Sequence, residues 1–326
     1  MSASKMITTD ETAGWLKARD GFLIITHQRP DGDTIGCAGA LAQGLRENGK
    51  AAYVLYNEET TPRYARFVEE FWAPDGFEAE HIIAVDVASA EMFPASCGKY
   101  SGSVSLSIDH HPSNTNYAEF TCLDGTRASC GEIVYDIIMA LSGRVSEICA
   151  ERLYVALSTD TGCFAFGNTT ANTLRVASLL IEAGAPHRVL NKTLFRTRTR
   201  GRVKMESMIY SGLEFYFTGA VAIAVITLDM IREAGAVEDD LDDIASLPGA
   251  IDGVLAGITI RELSSAEDCK VSVRTSSEVN ANAICAHFGG GGHPMAAGFS
   301  LNATVSEIKE GLLAILPDFL PPPRNT

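Results

Sequence analysis

The chain has 326 residues, is 46% hydrophobic, and carries a formal net charge of −15 from 41 acidic and 26 basic side chains. Its length suggests two domains and its apolar fraction supports a sizeable core, which excludes wholesale disorder. The acidic balance argues against a general electrostatic grip on long nucleic acid, but is compatible with a small phosphorylated substrate held by a few local cations.

Taken in chain order, MSASKMITTDETAGW shows no long apolar stretch behind basic residues, so it does not read as a signal peptide. No apolar run approaches the ~20 residues needed to span a bilayer, and a soluble, cytoplasmic protein is expected. FLIITH (22–27), AAYVLYN (51–57), HIIAVDV (81–87) and VSLSIDH (104–110) read as strands. Three of them are largely continuous apolar runs, which suit strands buried on both faces of a mainly parallel sheet. Between the first two, Ile35, Ala38, Leu41, Ala42 and Leu45 recur at helical spacing, and Asn48-Gly49 makes a helix stop. Helical patterns follow near 128–142, 147–158 and 171–183. This alternation indicates an α/β domain over residues 1–187, with its site at the carboxyl ends of strands.

Residues 188–213 carry Arg188, Lys192, Arg196, Arg198, Arg200, Arg202 and Lys204 among few acids. They read as a helical linker, either simply solvated or facing phosphate. A smaller α/β domain is expected over 214–326. In it LEFYFTGAVAIAVITL reads as a hairpin turning at Thr218-Gly219, followed by the acidic EDDLDD. GVLAGITIRE and CKVSVRT read as strands, VNANAICAHF as a helix, and GGGGHPMAAGFSL as a glycine loop before a strand. A last helix is expected near 304–315, and the tail PPPRNT is expected to be loose. The eight cysteines form no CxxC pair, which argues against a zinc ribbon or a disulfide framework.

The chemistry concentrates in four segments that each deliver carboxylate or imidazole where a buried element stops, read together as strand ends. THQRPDGDTIG offers His27, Asp31 and Asp33, AVDVA offers Asp86, SIDHHPSN offers Asp109, His110 and His111, and LSTDTG offers Asp160. Any one alone is ordinary turn or helix-cap chemistry, because Asp favours both positions. Gathered on one sheet edge, however, such carboxylates repel and raise one another's pKa values unless cations neutralise them. Two divalent ions roughly 3.5–4 Å apart would do so, and mixed oxygen and imidazole donors suit manganese or a similar first-row ion.

The set H27-x3-D31-x-D33, D86, D109-H110-H111 and D160 resembles the motif set of the DHH phosphoesterases. GGGGHPMAAGF is similar to the hallmark of that family's associated C-terminal domain, so the resemblance covers nearly the whole chain. It implies that His27 and Asp31 hold one manganese ion, that Asp33, His110 and Asp160 hold the other, and that Asp86 bridges them. Asp109 would orient its neighbours from behind, and His111 would face the scissile phosphate. Arg274, Gly290, Gly291, Gly292 and His293 would bind a terminal phosphate of the substrate, with the active site in the cleft between the domains. Many small oligoribonucleases of the family have Asn before the Ala-Ala pair, where this chain has Met295.

The implied activity is manganese-dependent hydrolysis of short oligoribonucleotides, together with removal of the 3′-phosphate from 3′-phosphoadenosine 5′-phosphate. The nearest alternative is a phosphodiesterase for linear or cyclic dinucleotides. A RecJ-like exonuclease, a manganese pyrophosphatase and a non-catalytic nucleotide sensor rank lower. The expected partners are short oligonucleotides and 3′,5′-phosphorylated nucleosides, with no long duplex and no membrane, and a homodimer is left open.

Overall fold

The computed structural model describes residues 4–241 and 243–322, so the end of the tail, 323–326, lies outside the described residues. The chain divides into two compact units, Met1–Thr197 and Arg198–Thr326. No helix among the described residues is long and apolar enough to cross a membrane.

The first unit is built on six strands: β1 (Lys5–Met6), β2 (Phe22–Ile25), β3 (Ala52–Val54), β4 (His81–Val85), β5 (Val104–Asp109) and β6 (Phe120–Leu123). They form one sheet in the order β1-β6-β5-β4-β2-β3, and every pairing is parallel. The continuous apolar runs have the expected cause. Ile24, Ile83, Val85, Leu106 and Ile108 pack against helices on one face, while Leu23, Ile25, Ile82, Ala84 and Val104 are buried on the other. Each such Val, Leu or Ile side chain, fully buried, contributes roughly 1.5–3 kcal/mol. The four expected strands are all present, with β2 and β3 shorter than their apolar runs; β1 and β6 were not foreseen.

The helices on this sheet start at recognisable caps. Asp31 caps Gly32–Glu47, accepting from the backbone N–H groups of Asp33 and Thr34. Ser129 caps Cys130–Ser142, which stops at a left-handed Gly143, and Ser146 caps Glu147–Asp160. The helices Gly32–Glu47 and Glu147–Asp160 approach closely through small residues. A Cβ added at Gly36 would lie 2.4 Å from the Arg152 carbonyl oxygen, and one at Gly32 would lie 2.4 Å from the Thr159 side chain. This approach carries Asp160, the last residue of its helix, toward Asp33.

The second unit is a mixed sheet of β7 (Glu214–Tyr216), β8 (Val221–Ile226), β9 (Ala256–Glu262), β10 (Asp268–Thr275), β11 (Gly291–His293) and β12 (Ala296–Asn302). Its order is β11-β12-β10-β9-β8-β7, with β8 and β9 parallel and the other pairs antiparallel. The expected hairpin is β7–β8, and Phe217 and Thr218 take positive φ at its turn. Ile258, Val271 and Val273 pack with Ile284, Ile308 and Leu312 on one face. Met205 and Ile209, from the helix Arg200–Ser211, pack against Ala224 and Ile226 on the other.

Candidate metal centre

In the first sheet β2 is flanked by β3 on one side and by β4 on the other, so the strand order reverses there and the chain leaves the two strand ends in opposite directions. Parallel sheets open their binding crevice at this point. His27 stands two residues past β2, Asp86 directly past β4, and Asp109-His110-His111 at the end of β5. Asp31 and Asp33 come from the start of the helix that follows β2. Asp160 corrects one expectation, since it ends a helix and not a strand. A short buried apolar run has the same composition in either element, and the Gly36 contact brings this helix end to the strand ends.

Among the described residues three triplets of potential ligand atoms result, His27–Asp31–Asp86, Asp33–His110–Asp160 and Asp86–His110–His111, each with all its atoms within 4.8 Å of one another. His27 Nε2 lies 3.6 Å from Asp31 Oδ1 and 3.9 Å from Asp86 Oδ2. His110 Nε2 lies 3.8 Å from Asp33 Oδ2, 3.5 Å from Asp86 Oδ1 and 3.7 Å from Asp160 Oδ2. Asp86 thus belongs to the first triplet and stands 3.5 Å from His110 of the second.

The imidazole orientation decides what these distances mean. His27 Nδ1 is 2.7 Å from the Gln28 carbonyl, and His110 Nδ1 is 3.1 Å from the Arg127 carbonyl. A carbonyl only accepts, so Nδ1 carries the proton, and in the neutral ring Nε2 presents a lone pair. Lone pairs and carboxylate oxygens therefore converge at distances too long for hydrogen bonds. Asp86 Oδ1 is buried with no hydrogen-bond partner. An orphaned buried acceptor facing other acceptors is the environment a cation fits. Oxygen and imidazole donors without thiolate match a first-row divalent ion.

His111 is held differently. Its Nδ1 approaches Asp86 Oδ1 at 3.5 Å but donates to Asp109 Oδ1 at 2.8 Å. That nitrogen is committed to Asp109, which leaves Nε2 on a ring that is 40% exposed. Asp109 is fully buried and also accepts from the backbone N–H groups of His110 and His111 and from Asn114 Nδ2. The hydrogen bond to Asp109 pushes the His111 pKa up against the opposing effect of burial.

Burial, with Asp33 and Asp31 beside it, pushes Asp86 far above the ordinary carboxylate range. Burial also raises Asp33. Asp160 is pushed up to about 8 from 3.8, by burial first and then by Asp33 and Asp31. In the metal-free protein, folded Asp160 keeps its proton through the window from 3.8 to about 8, where the unfolded chain has lost it. Its contribution to stability is therefore whole below that window and lost as pH climbs through it. A divalent ion must displace that proton, so the rise in Tm on adding Mn2+ is expected to be larger at about pH 8 than at about pH 5.5. Thermal melts with chelator and with Mn2+ at the two pH values check this; equal gains would mean that no proton leaves the site.

Several supporting residues were not read from the sequence. Asp33 accepts from Ser129 Oγ at 2.9 Å, from the N–H groups of Cys130 and Gly131 at 2.8 and 3.1 Å, and from Cys37 Sγ at 3.2 Å. It thus sits on the positive end of the helix Cys130–Ser142. The Arg127 carbonyl that orients His110 belongs to a residue whose guanidinium is held by Asp124 at 2.9 Å and Asp136 at 2.8 Å. Asn57 Nδ2 donates to the His27 carbonyl at 2.9 Å. Ser129 before Cys-Gly-Glu was legible as a helix cap, but not as a partner of Asp33.

In the second unit, Arg274 pairs with Ala296 across β10–β12, and His293 pairs with Ala296 across β12–β11. Residues in one row of a sheet share a face, so two cationic-capable side chains flank one alanine. Gly289 and Gly290 lie in the loop that was expected, while Gly291 and Gly292 open the edge strand β11. A Cβ at Gly290 would lie 2.3 Å from the Gly298 carbonyl oxygen, and one at Gly292 would lie 2.6 Å from that of Ala296. Close pairing on β12 therefore accounts for both glycines.

Residues 21–157 match the DHH family, N-terminal domain, and residues 219–320 match the DHHA1 domain. A Thermus thermophilus protein named bifunctional oligoribonuclease and PAP phosphatase NrnA is 32% identical over 290 residues, covering 88% of this chain and 86% of that protein. The chain belongs to the DHH family. A second DHH relative of the same name, from Bacillus subtilis, is 27% identical over 289 residues, covering 86% of this chain and 90% of that protein. The DHH fold is also that of a crystal structure from Bacteroides fragilis described as an exopolyphosphatase-related protein. It has a TM-score of 0.84 at 21% identity, over 95% of this chain and 96% of that one.

Proposed function

We propose that this DHH protein is a cytoplasmic phosphoesterase. It hydrolyses short oligoribonucleotides and converts 3′-phosphoadenosine 5′-phosphate to AMP and phosphate. The observation that carries the reading is the pair of ligand triplets His27–Asp31–Asp86 and Asp33–His110–Asp160, which meet at Asp86, whose orphaned Oδ1 lies 3.5 Å from His110 Nε2. The relatives' names supply the substrate class.

His27 and Asp31 hold one ion, Asp33, His110 and Asp160 hold the other, and Asp86 faces both. Mn2+ at these positions supplies Lewis acidity and lowers the pKa of water to near neutrality. The protein's part is geometric and protic. The Gln28 and Arg127 carbonyls fix the two ligand imidazoles, and the helix end at Ser129–Gly131 fixes Asp33. Asp109 fixes His111 with Nε2 outward and favours its charged form, so that His111 can stabilise phosphate charge and give a proton to the leaving oxygen.

Arg274 and His293 hold a terminal phosphate of the substrate, in a row where Ala296 leaves room between them and the tightly paired Gly290–Gly292 edge presents His293. One strand spacing is about 4.8 Å, so the two side chains start about 10 Å apart and can grip one phosphate from both sides. Binding there orients the reacting centre elsewhere in the substrate.

The test is a parallel assay, with Mn2+, on a diribonucleotide, 3′-phosphoadenosine 5′-phosphate, a cyclic dinucleotide, pyrophosphate and a long single strand, using the unmodified protein and Arg274→Ala. Turnover of the first two is expected, with Arg274→Ala lowering kcat/KM on the diribonucleotide by roughly 10- to 100-fold at unchanged metal content, the worth of a charged hydrogen bond. Preference for the cyclic dinucleotide, for pyrophosphate or for the long strand would replace this reading with the corresponding alternative.

A further inference from the structure

The loop that follows Asp160 holds one phenyl ring inward and one outward. Phe164 packs its ring edge-on against Tyr154, with centroids 5.8 Å apart. Phe166, two residues on, is 58% exposed. The backbone between is unusual: Cys163 and Phe164 both lie in the left-handed region, at φ 57° and 68°, where non-glycine residues are strained. That conformation is pinned on every side. The Cys163 N–H donates to the Ser158 carbonyl at 2.7 Å, and those of Ala165 and Phe166 donate to Thr161 O at 2.9 and 3.0 Å. Asn168 Nδ2 donates to the carbonyls of Asp160 and Ala128 at 3.0 and 3.1 Å.

The Phe166 ring lies over the backbone of this loop. A Cβ added at Gly162 would lie 2.4–2.7 Å from three of its ring carbons, so the ring covers the Gly162 backbone. Gly162 is two residues beyond Asp160, and two Cα steps span at most about 8 Å. A solvent-facing aromatic ring thus covers backbone that lies within about 8 Å of the Asp160 Cα, about one nucleotide's reach from a candidate ligand.

We propose that Phe166 is the surface on which the nucleobase beside the scissile phosphate stacks, which makes it a specificity-determining residue. The inference rests on the phosphoesterase reading above. Stacking on an aromatic face accepts any base, since every base has a π-face. This selects nucleotides over other phosphate esters without selecting a sequence, as degradation of assorted short oligonucleotides requires.

The test compares kcat/KM for a diribonucleotide with kcat/KM for the same phosphodiester lacking the base, on full-length protein at saturating Mn2+. The ratio of the two values measures recognition of the base alone. Phe166→Ala and Phe166→Leu are both expected to lower the ratio about 10- to 100-fold, and Phe166→Trp to restore it. Phe166→Leu keeps an apolar side chain on Gly162, so a folding defect in the alanine variant leaves the question answerable. An unchanged ratio in Phe166→Leu, or an unmodified enzyme indifferent to the base, overturns the proposal. Inactivity of the unmodified enzyme on both the diribonucleotide and 3′-phosphoadenosine 5′-phosphate would overturn the phosphoesterase reading itself.

Discussion

Asp86→Asn is expected to raise the Tm of the metal-free protein by a few degrees while lowering turnover by roughly 10³-fold or more. Asp86 is 2% exposed, its Oδ1 has no hydrogen-bond partner, and its backbone sits at φ 58°. Whether it stays charged against Asp33 or takes up a proton from neutral solution, folding bears the cost. An amide has no charge to neutralise, and Asn is among the few side chains that tolerate a left-handed backbone. Its N–H can also donate toward His110 Nε2, which lies 3.5 Å from the orphaned oxygen. Stability rises because a functional strain has been removed. Turnover falls because the one carboxylate facing both triplets is gone, and losing several kcal/mol of transition-state charge stabilisation costs three decades or more. Melts in chelator and steady-state rates with Mn2+ on the same preparations check both halves. Retained turnover would remove Asp86 from the shared position, and a lower metal-free Tm would show that its carboxylate has a structural role.

The same physics explains which features were legible in the sequence. The ends of β2, β4 and β5 were readable because these strands are buried on both faces, so an imidazole or carboxylate there breaks an apolar run abruptly. Asp160 was readable as a member of the set, and the helical pattern near 147–158 ran up to it, although it was grouped with the strand ends. What places it is the contact of Gly36 with the Arg152 backbone, more than 100 positions along the chain, which no local pattern encodes. Ser129, Cys130 and Gly131 are about 96 positions from the Asp33 they hold, and each looks locally like the start of a helix. β1 is two residues long, too short for any periodicity, and β6, FTCL, is not part of a longer apolar run as β2 and β3 are. The glycine run allowed several explanations at once, and only its close approach to β12, from Gly290 in the loop and Gly292 in β11, shows which glycines are required. The DHH triplet itself carried the most information, because three polar residues ending a buried strand have no packing explanation.

Within that triplet, His111→Ala is expected to keep full Mn2+ occupancy and lose about 10²- to 10⁴-fold in kcat, the range for a positioned proton donor. His110→Ala should instead lose metal at one position. The two rings are neighbours, with centroids 4.4 Å apart, so proximity to the centre cannot separate their roles. Their Nδ1 partners can. His110 gives its Nδ1 proton to a neutral carbonyl, which leaves Nε2 as a lone pair aimed at Asp33, Asp86 and Asp160. His111 gives its proton to a buried carboxylate, which favours the imidazolium, and a protonated ring cannot ligate a cation. Asp109→Asn should therefore weaken kcat in the same direction as His111→Ala, because the amide no longer favours a charged ring. Metal content by elemental analysis, set beside kcat for the three variants, separates ligand from proton donor. Equal metal loss in His110→Ala and His111→Ala would mean that both imidazoles ligate and that Asp109 serves the ions rather than the phosphate.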